Sequence, residues 1–219
     1  MRPRAMPIEV EAKFRAESAE PLIDLAARPR LGRAALGTAR TVDETDRYLD
    51  TDDGRLAAAR WACRLRSREG TSRISLKGPP SAPIEGWYHR RPELEGPATA
   101  TVDPDAWPAS AALELLATLR GGQPLIERLR LHQARTERAV TLDDNGTQIG
   151  TLTMDRVRMS AGETDLGELF VVELELDASS EVAEAELNDL AAALEAIPGL
   201  LAEPRSKLEH ALERLAERR

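Results

Sequence analysis

Several short stretches of the chain alternate between apolar and ionisable residues. Successive side chains of a β-strand point to opposite faces, so positions i, i+2 and i+4 share one. In Ile8-Glu9-Val10-Glu11-Ala12-Lys13-Phe14, one face carries Glu9, Glu11 and Lys13, and the other carries Ile8, Val10, Ala12 and Phe14. Arg64-Leu65-Arg66 sets two guanidiniums together, and Arg91-Pro92-Glu93-Leu94-Glu95 sets a cation beside two carboxylates. Val172-Glu173-Leu174-Glu175-Leu176 opposes two carboxylates to three apolar residues. The pattern predicts strands over Pro7–Ala16, Thr45–Asp50, Trp61–Ser67, Ser72–Lys77, Ile84–Glu95, Leu131–Leu142, Gln148–Arg158 and Leu169–Asp177. Eight strands with hairpin-like connections predict an antiparallel sheet or barrel.

Helices are expected over Ser110–Arg120, which stops at Gly121-Gly122, and over Glu181–Ile197, which stops before Pro198-Gly199. Ser206-Lys207-Leu208-Glu209 has the spacing of a capping box and opens a last helix. A shorter helix is expected around Pro21–Ala27. The Pro/Gly-rich stretches Gly78–Gly86 and Gly96–Pro108 are read as loops. With no internal repeat and no low-complexity linker, one domain is expected over residues 1–219, its core spanning about 7–215.

A half-buried sandwich strand also alternates, with its charges in water, and for any one of these strands that reading suffices. As a set they differ: four strands carry faces nearly pure in ionisable groups of both signs, almost without Thr, Ser or Gln. If the sheet closes with these faces inward, amphipathic helices can cover the apolar outside. Crowded carboxylates repel one another, and burying them unpaired is costly. Divalent metal and a polyanion would relieve both costs. Glu and Asp oxygens suit Mg2+ or Mn2+, and Arg and Lys suit phosphate oxygens.

Composition narrows the field. Of 219 residues, 30 are Lys or Arg and 38 Asp or Glu, a net charge of −8, which argues against broad nucleic-acid binding without excluding a local cationic pocket. The 42% hydrophobic content supports a core, but with 3% aromatics that core must be aliphatic. A single cysteine, Cys63, excludes an internal disulfide framework and reads as a small core residue. The scattered His89, His132 and His210 do not suggest a histidine metal site. There is no apolar run of the ~20 residues that a membrane span requires, and the first residues lack the apolar stretch of a secretory signal. A cytoplasmic location is the expectation, with no membrane or specific nucleic-acid partner.

In order along the chain stand Glu9-x-Glu11-x-Lys13, Tyr48-Leu49-Asp50-Thr51, Arg64-Leu65-Arg66, Ser75-Leu76-Lys77, Arg91-x-Glu93-x-Glu95, Arg135, Asp155, Glu173-x-Glu175 and Ser206-Lys207. The ordered set, from Ile8 to about Leu215, resembles the CYTH domain family, the triphosphate tunnel metalloenzymes. Its members include inorganic triphosphatases, thiamine triphosphatases and class IV adenylate cyclases. The resemblance implies an α+β fold: a closed, eight-stranded antiparallel β-barrel with helices packed outside, binding a triphosphate with Mg2+ or Mn2+. Carried over, Glu9, Glu11, Glu173 and Glu175 are expected metal ligands, with Asp155 a fifth. Lys13, Arg64, Arg66, Lys77, Arg135 and Lys207 are expected to clamp phosphate. Arg91 is grouped with the substrate-binding cations; together with Glu93 and Glu95 it either touches substrate or metal or forms a lumen ion-pair network. Lys13 is considered as a general base, although its carboxylate neighbours favour the protonated form. Tyr48, on a face with Asp46 and Asp50, either positions a water, pairs with Lys13 or simply packs.

The expected activity is metal-dependent hydrolysis of a triphosphate, inorganic tripolyphosphate first. The alternatives are adenylate cyclase acting on ATP, thiamine triphosphatase and a non-catalytic polyphosphate-binding module. Thiamine triphosphatases carry a tunnel-facing Trp two residues before the first paired arginine, where this chain has Ala62. Trp61, Trp87 and Trp107 are expected to pack, Arg138 to lie on the opposite face from Arg135 in solvent, and His89 to sit at a rim. The chain is expected to be a monomer or homodimer.

Overall fold

The computed structural model describes residues 6–80, 86–142, 146–177 and 181–218, with the side chains of 181–185 excepted. In chain order the strands are β1 (Ile8–Ala16), β2 (Arg30–Leu31), β3 (Ala34–Leu36), β4 (Arg40–Thr51), β5 (Ala62–Arg68), β6 (Thr71–Lys77), β7 (Tyr88–Ala98), β8 (Leu125–Leu142), β9 (Thr147–Ala161), β10 (Thr164–Leu176) and β11 (Leu200–Ala202). The α-helices are α1 (Glu20–Ala27), α2 (Arg55–Ala58), α3 (Ala111–Arg120), α4 (Glu181–Glu195) and α5 (Lys207–Glu217). No described helix is long and apolar enough to cross a membrane.

Eight strands close a barrel in the order β8-β4-β5-β6-β7-β1-β10-β9 and back to β8, with every pairing antiparallel. The expected closed barrel is therefore the observed one. Its strands run longer than the alternation predicts: β4 starts at Arg40 rather than Thr45, and β8 at Leu125 rather than Leu131. β7 runs on through Gly96 and Pro97 to Ala98, inside the stretch read as a loop. The expected strand start at residues 84–85 and most of the 78–86 loop lie outside the described residues. A β2–β3 hairpin turning at Gly32 (φ +53°) extends β8 beyond the start of β4, and β11 adds to β1.

Three apolar clusters account for the packing. Two lie outside the barrel, as the inverted alternation requires. Ala12, Phe14, Leu152, Met154, Val172 and Leu174 pack under Leu22 and Leu25 of α1 and Leu187, Leu190 and Leu194 of α4. Cys63, Leu65, Ile74 and Leu76 pack under Leu56 of α2 and Leu116 of α3. Burying each Leu, Ile, Val, Phe or Met side chain among them contributes about 1.5–3 kcal/mol. The third cluster is inside: Leu129 and Leu131 of β8, Val157 and Met159 of β9 and Val171 of β10 share faces with Arg135, Asp155 and Glu173 respectively. Ala211, Leu208 and Leu215 of α5 complete it, so one end of the lumen is plugged by hydrocarbon and capped by α5.

Two expectations about single residues are corrected. Arg138 does lie on the outer face of β8, but it is buried, because α1 and the β2–β3 hairpin cover that face. Its guanidinium donates to the carbonyls of Ala26 (2.9 Å), Leu36 (2.9 Å), Gly37 (2.6 Å) and Arg28. A planar group with five donors suits such a nest of backbone acceptors. His89 is also buried rather than at a rim, donating from Nε2 to the Glu203 carbonyl at 2.8 Å. Cys63 is a core residue whose thiol is pushed up by burial and by Asp50. Trp107 is buried, Trp61 packs on the α2–α3 cluster, and Trp87 meets Tyr88 edge-on at 6.0 Å.

Candidate functional site

Strand register brings the ionisable faces together. Glu9 pairs with Arg91, Glu11 with Glu175, Lys13 with Glu173, Lys77 with Glu93, Tyr48 with Arg64, Asp46 with Arg66, and Arg135 with Asp155. Towards the end away from the plug, the lumen opens as a cavity of about 630 Å³. Seven cations line it: Lys13, Arg64, Arg66, Lys77, Arg91, Arg135 and Lys207. Seven carboxylates face them: Glu9, Glu11, Glu93, Glu95, Glu173, Glu175 and Asp177. Every expected site residue except Asp155 is in that wall; Asp155 lies just behind it, fully buried.

The charges are cross-linked. Lys77 reaches Glu9 (2.5 Å) and Glu93 (3.2 Å), and Arg91 reaches Glu9 (2.8 Å) and Glu11 (3.5 Å). Lys13 reaches Glu11 (2.9 Å) and Glu173 (3.4 Å), while Lys207 reaches Glu173 (2.8 Å) and Asp155 (2.6 Å). Arg135 holds both oxygens of Asp155, at 2.8 and 2.7 Å, and Arg66 both oxygens of Asp46, at 2.7 Å each. Arg64 is looser, 3.5 Å from Glu93 and 3.7 Å from Asp46.

These contacts fix protonation. Burial alone would raise Glu9, but Lys77 and Arg91 hold it well below the usual carboxylate range. Glu173 is lowered in the same way by Lys207, Lys13 and Arg135. Burial would pull Lys13 down, yet Glu11 and Glu173 more than reverse it, so the amine is firmly protonated. Glu175 is the exception. Burial in the wall, then the charges of Glu9, Glu11 and Glu93, push it up to about 7 against the pull of Lys77. A carboxylate in this position, open to the cavity and crowded by like charge, has hard oxygen donors and an unmet need for positive charge, which suits Mg2+ or Mn2+. Among the described residues, no three acidic, histidine or cysteine side chains already converge as a metal cage.

Two parts of the site were not legible from the alternation. Glu44 is buried, with its carboxylate 3.0 Å from Arg135 and 3.3 Å from Arg66. It sits two residues before Asp46 on the same face, but the expected strand began one residue too late to include it. Asp50 departs from the face that alternation assigns it with Asp46 and Tyr48. The β4–β8 pairing shifts register after Tyr48, and the Asp50 carboxylate accepts from the backbone N–H groups of Thr51, Leu56 and Ala57, tying α2 to the end of β4. Tyr48 itself lines the cavity opposite Arg64.

A closed antiparallel barrel with this mixed lumen defines a charged-tunnel protein. The CYTH domain model matches residues 7–212, and the chain belongs to that family. Among solved structures, it is similar to a Hippeastrum protein provisionally named an adenylyl cyclase and described as having a dominant triphosphatase activity, at 18% identity and a TM-score of 0.65 over 94% of this chain and 95% of that one. It also resembles a Bacillus halodurans protein provisionally named an adenylate cyclase, at 20% identity, a TM-score of 0.57 and coverage of 93% and 98%. A Pyrococcus horikoshii protein matches at 19% identity with a TM-score of 0.55 over 93% of this chain and 99% of that one. These likenesses establish the fold. No curated protein matches the chain.

Proposed function

We propose that the tunnel binds a linear triphosphate with a divalent cation and hydrolyses its terminal anhydride, inorganic tripolyphosphate being the preferred substrate. The observation that carries this reading is the mixed wall, seven cations and seven carboxylates around one cavity, with Glu44, Asp46 and Asp155 buried behind it against the same cations. A polyanion entering so carboxylate-rich an enclosure alone would leave excess negative charge in low dielectric. A divalent cation entering with it would offset part of that charge. A simple anion-binding module would need the cations only.

Glu9, Glu11, Glu173 and Glu175 would hold Mg2+ or Mn2+, which supplies alignment and neutralisation of the phosphoryl oxygens when bound. Asp155 has both oxygens engaged by Arg135 and Lys207, so its role in this reading is to position those cations. Arg64, Arg66, Lys77, Arg91, Arg135 and Lys207 grip the chain of phosphoryl groups. Arg64, with the loosest partners, is the freest to follow charge as it builds on the leaving pyrophosphate. Lys13 acts as a protonated clamp rather than as a base. Tyr48 orients the water that attacks the terminal phosphorus in line, giving orthophosphate and pyrophosphate. Ala62 lines the cavity where a stacking tryptophan would be needed, and Trp61 packs outward, which favours an inorganic substrate over thiamine triphosphate.

The test is product analysis after incubation with tripolyphosphate, ATP and thiamine triphosphate, with Mg2+ or Mn2+ and with chelator. Orthophosphate release from tripolyphosphate that stops on chelation is expected. Tight binding without release would make the protein a binding module, and cyclic AMP with pyrophosphate from ATP would make it a cyclase.

A further inference from the structure

Between β11 and α5 lies one residue that the proposed chemistry leaves unused and that the fold ties down from five sides. The Glu203 carboxylate is almost fully buried, with 1% of its side chain exposed. Oε1 accepts from the Arg205 backbone N–H (2.9 Å) and from its Nε (3.1 Å). Oε2 lies 3.2 Å from Arg15 Nε and 2.9 Å from His210 Nε2. The backbone is equally engaged: the Glu203 N–H donates to the Lys13 carbonyl at 3.0 Å, and its carbonyl accepts from His89 Nε2 at 2.8 Å.

The position of this junction gives it meaning. Through Lys13 and Arg15 it meets β1, through His89 it meets β7, and it reaches α5 twice: His210 Nε2 sits against Oε2, and Arg205, held on Oε1, donates to Glu213 at 2.6 Å. Four residues further on, Lys207 points into the lumen, where its amine shares Glu173 with the amine of Lys13. The group that Glu203 holds by its backbone and the group it holds through α5 are thus the two lysines that flank one carboxylate. His210 lies three residues after Lys207, so the two occupy one side of the helix, and the side chain packed against Glu203 belongs to the turn that presents the amine. Pro204 and the Ser206 capping box leave little slack between junction and lysine.

We infer that Glu203 is a positioning residue for the tunnel, setting the placement of Lys207 against Glu173 and Lys13. The inference rests on the proposed function, because Lys207 matters only if the lumen binds phosphate. A residue that acts through Lys207 loses its effect once Lys207 is gone, whereas a residue that merely stabilises the fold does not. The experiment is therefore a double-mutant cycle on tripolyphosphate hydrolysis with Mg2+. Glu203→Gln is expected to raise KM about tenfold with kcat within about twofold, the split of a lost binding contact. Lys207→Ala is expected to raise KM by at least as much, and the double variant to be no worse than Lys207→Ala alone. Glu203→Asp, which keeps the charge, recovers part of the affinity. If Glu203→Gln does not fold, His210→Gln takes its place in the same cycle with a smaller effect in the same direction. A wild-type KM in Glu203→Gln, or losses that multiply in the double variant, overturns the inference while leaving the proposed function intact. An inactive wild-type protein overturns the proposed function, and the inference with it.

Discussion

The two ends of the barrel lumen are built from the same strands and the same inward-facing alternation, yet they hold opposite chemistry. On β8, β9 and β10, Leu131, Val157 and Val171 turn inward just as Arg135, Asp155 and Glu173 do. One end is dry and closed by α5; the other is ionised and open. The two ends depend on each other. Excluding water from one side of Asp155 and Arg135 lowers the local dielectric, which strengthens the pair and raises the cost of leaving either member alone. The plug is thus part of the electrostatics of the site as well as part of the core.

The largest effect is expected where the two regions meet. Asp155 is fully buried between Arg135 and Lys207, so Asp155→Ala breaks two buried ion pairs, leaving Arg135 to Glu44 and Glu173 and Lys207 to Glu173 alone, and should cost about 3–5 kcal/mol of stability. Chemical denaturation checks this, and a loss below about 1 kcal/mol would mean that water reaches the pair. The next two variants cross the comparison. Arg64→Ala, at the open end, should lower tripolyphosphate turnover by roughly 10²–10³-fold, with little change in melting temperature. Leu131→Ala, in the plug, should cost about 3 kcal/mol through lost burial and a residual cavity, with turnover per folded molecule within about twofold. If both variants moved both quantities equally, the division of the lumen into working and sealing halves would be wrong.

What could be read from the sequence follows from that division. Alternation reports which residues share a face, so the set Glu9, Glu11 and Lys13, the arginine pair, and Glu173 with Glu175 were legible, as was the need for helices outside. Alternation is silent where both faces are apolar or where the strand is irregular. The plug residues Leu129 and Met159 lie beyond the expected strands and Leu131 at the end of one, and nothing local distinguishes hydrocarbon inside a barrel from hydrocarbon beneath a helix. The register shift at Tyr48 turns Asp50 to α2, and neither residue type nor spacing announces it. Arg138 looked solvated because its cover comes from α1 and the β2–β3 hairpin, distant in sequence. Glu203 carries no motif at all; only the tertiary contacts of β1, β7 and α5 give it a role.

A smaller effect concerns acid. Asp46 is buried, which would raise it, but Arg64 and Arg66 hold it below the usual carboxylate range. A carboxyl lowered by folding stabilises fully at pH above its unfolded value of about 4, and this contribution drains away as pH falls through the folded value. Asp46→Asn keeps the shape and removes the charge, so it should cost about 2 kcal/mol near neutral pH. The gap between variant and wild type should narrow as the pH falls below about 4. A gap independent of pH from 7 to 3 would show that Asp46 contributes through geometry alone.

The smallest effect tests whether α5 behaves as a plug held at its first turn. The Ser206 hydroxyl accepts the Glu209 N–H at 3.2 Å, and the Glu209 carboxylate accepts the Ser206 N–H at 2.6 Å. Ser206→Ala removes half of that exchange and should cost about 1 kcal/mol, which in a chain of this size lowers the melting temperature by about 2–4 °C. The turn that frays carries Lys207 on its inner side, so KM for tripolyphosphate should rise about twofold while kcat holds. A lower melting temperature with an unchanged KM would separate the two ends of the lumen: the cap would stabilise the dry half, while Asp155 and Glu173 alone would keep Lys207 in place.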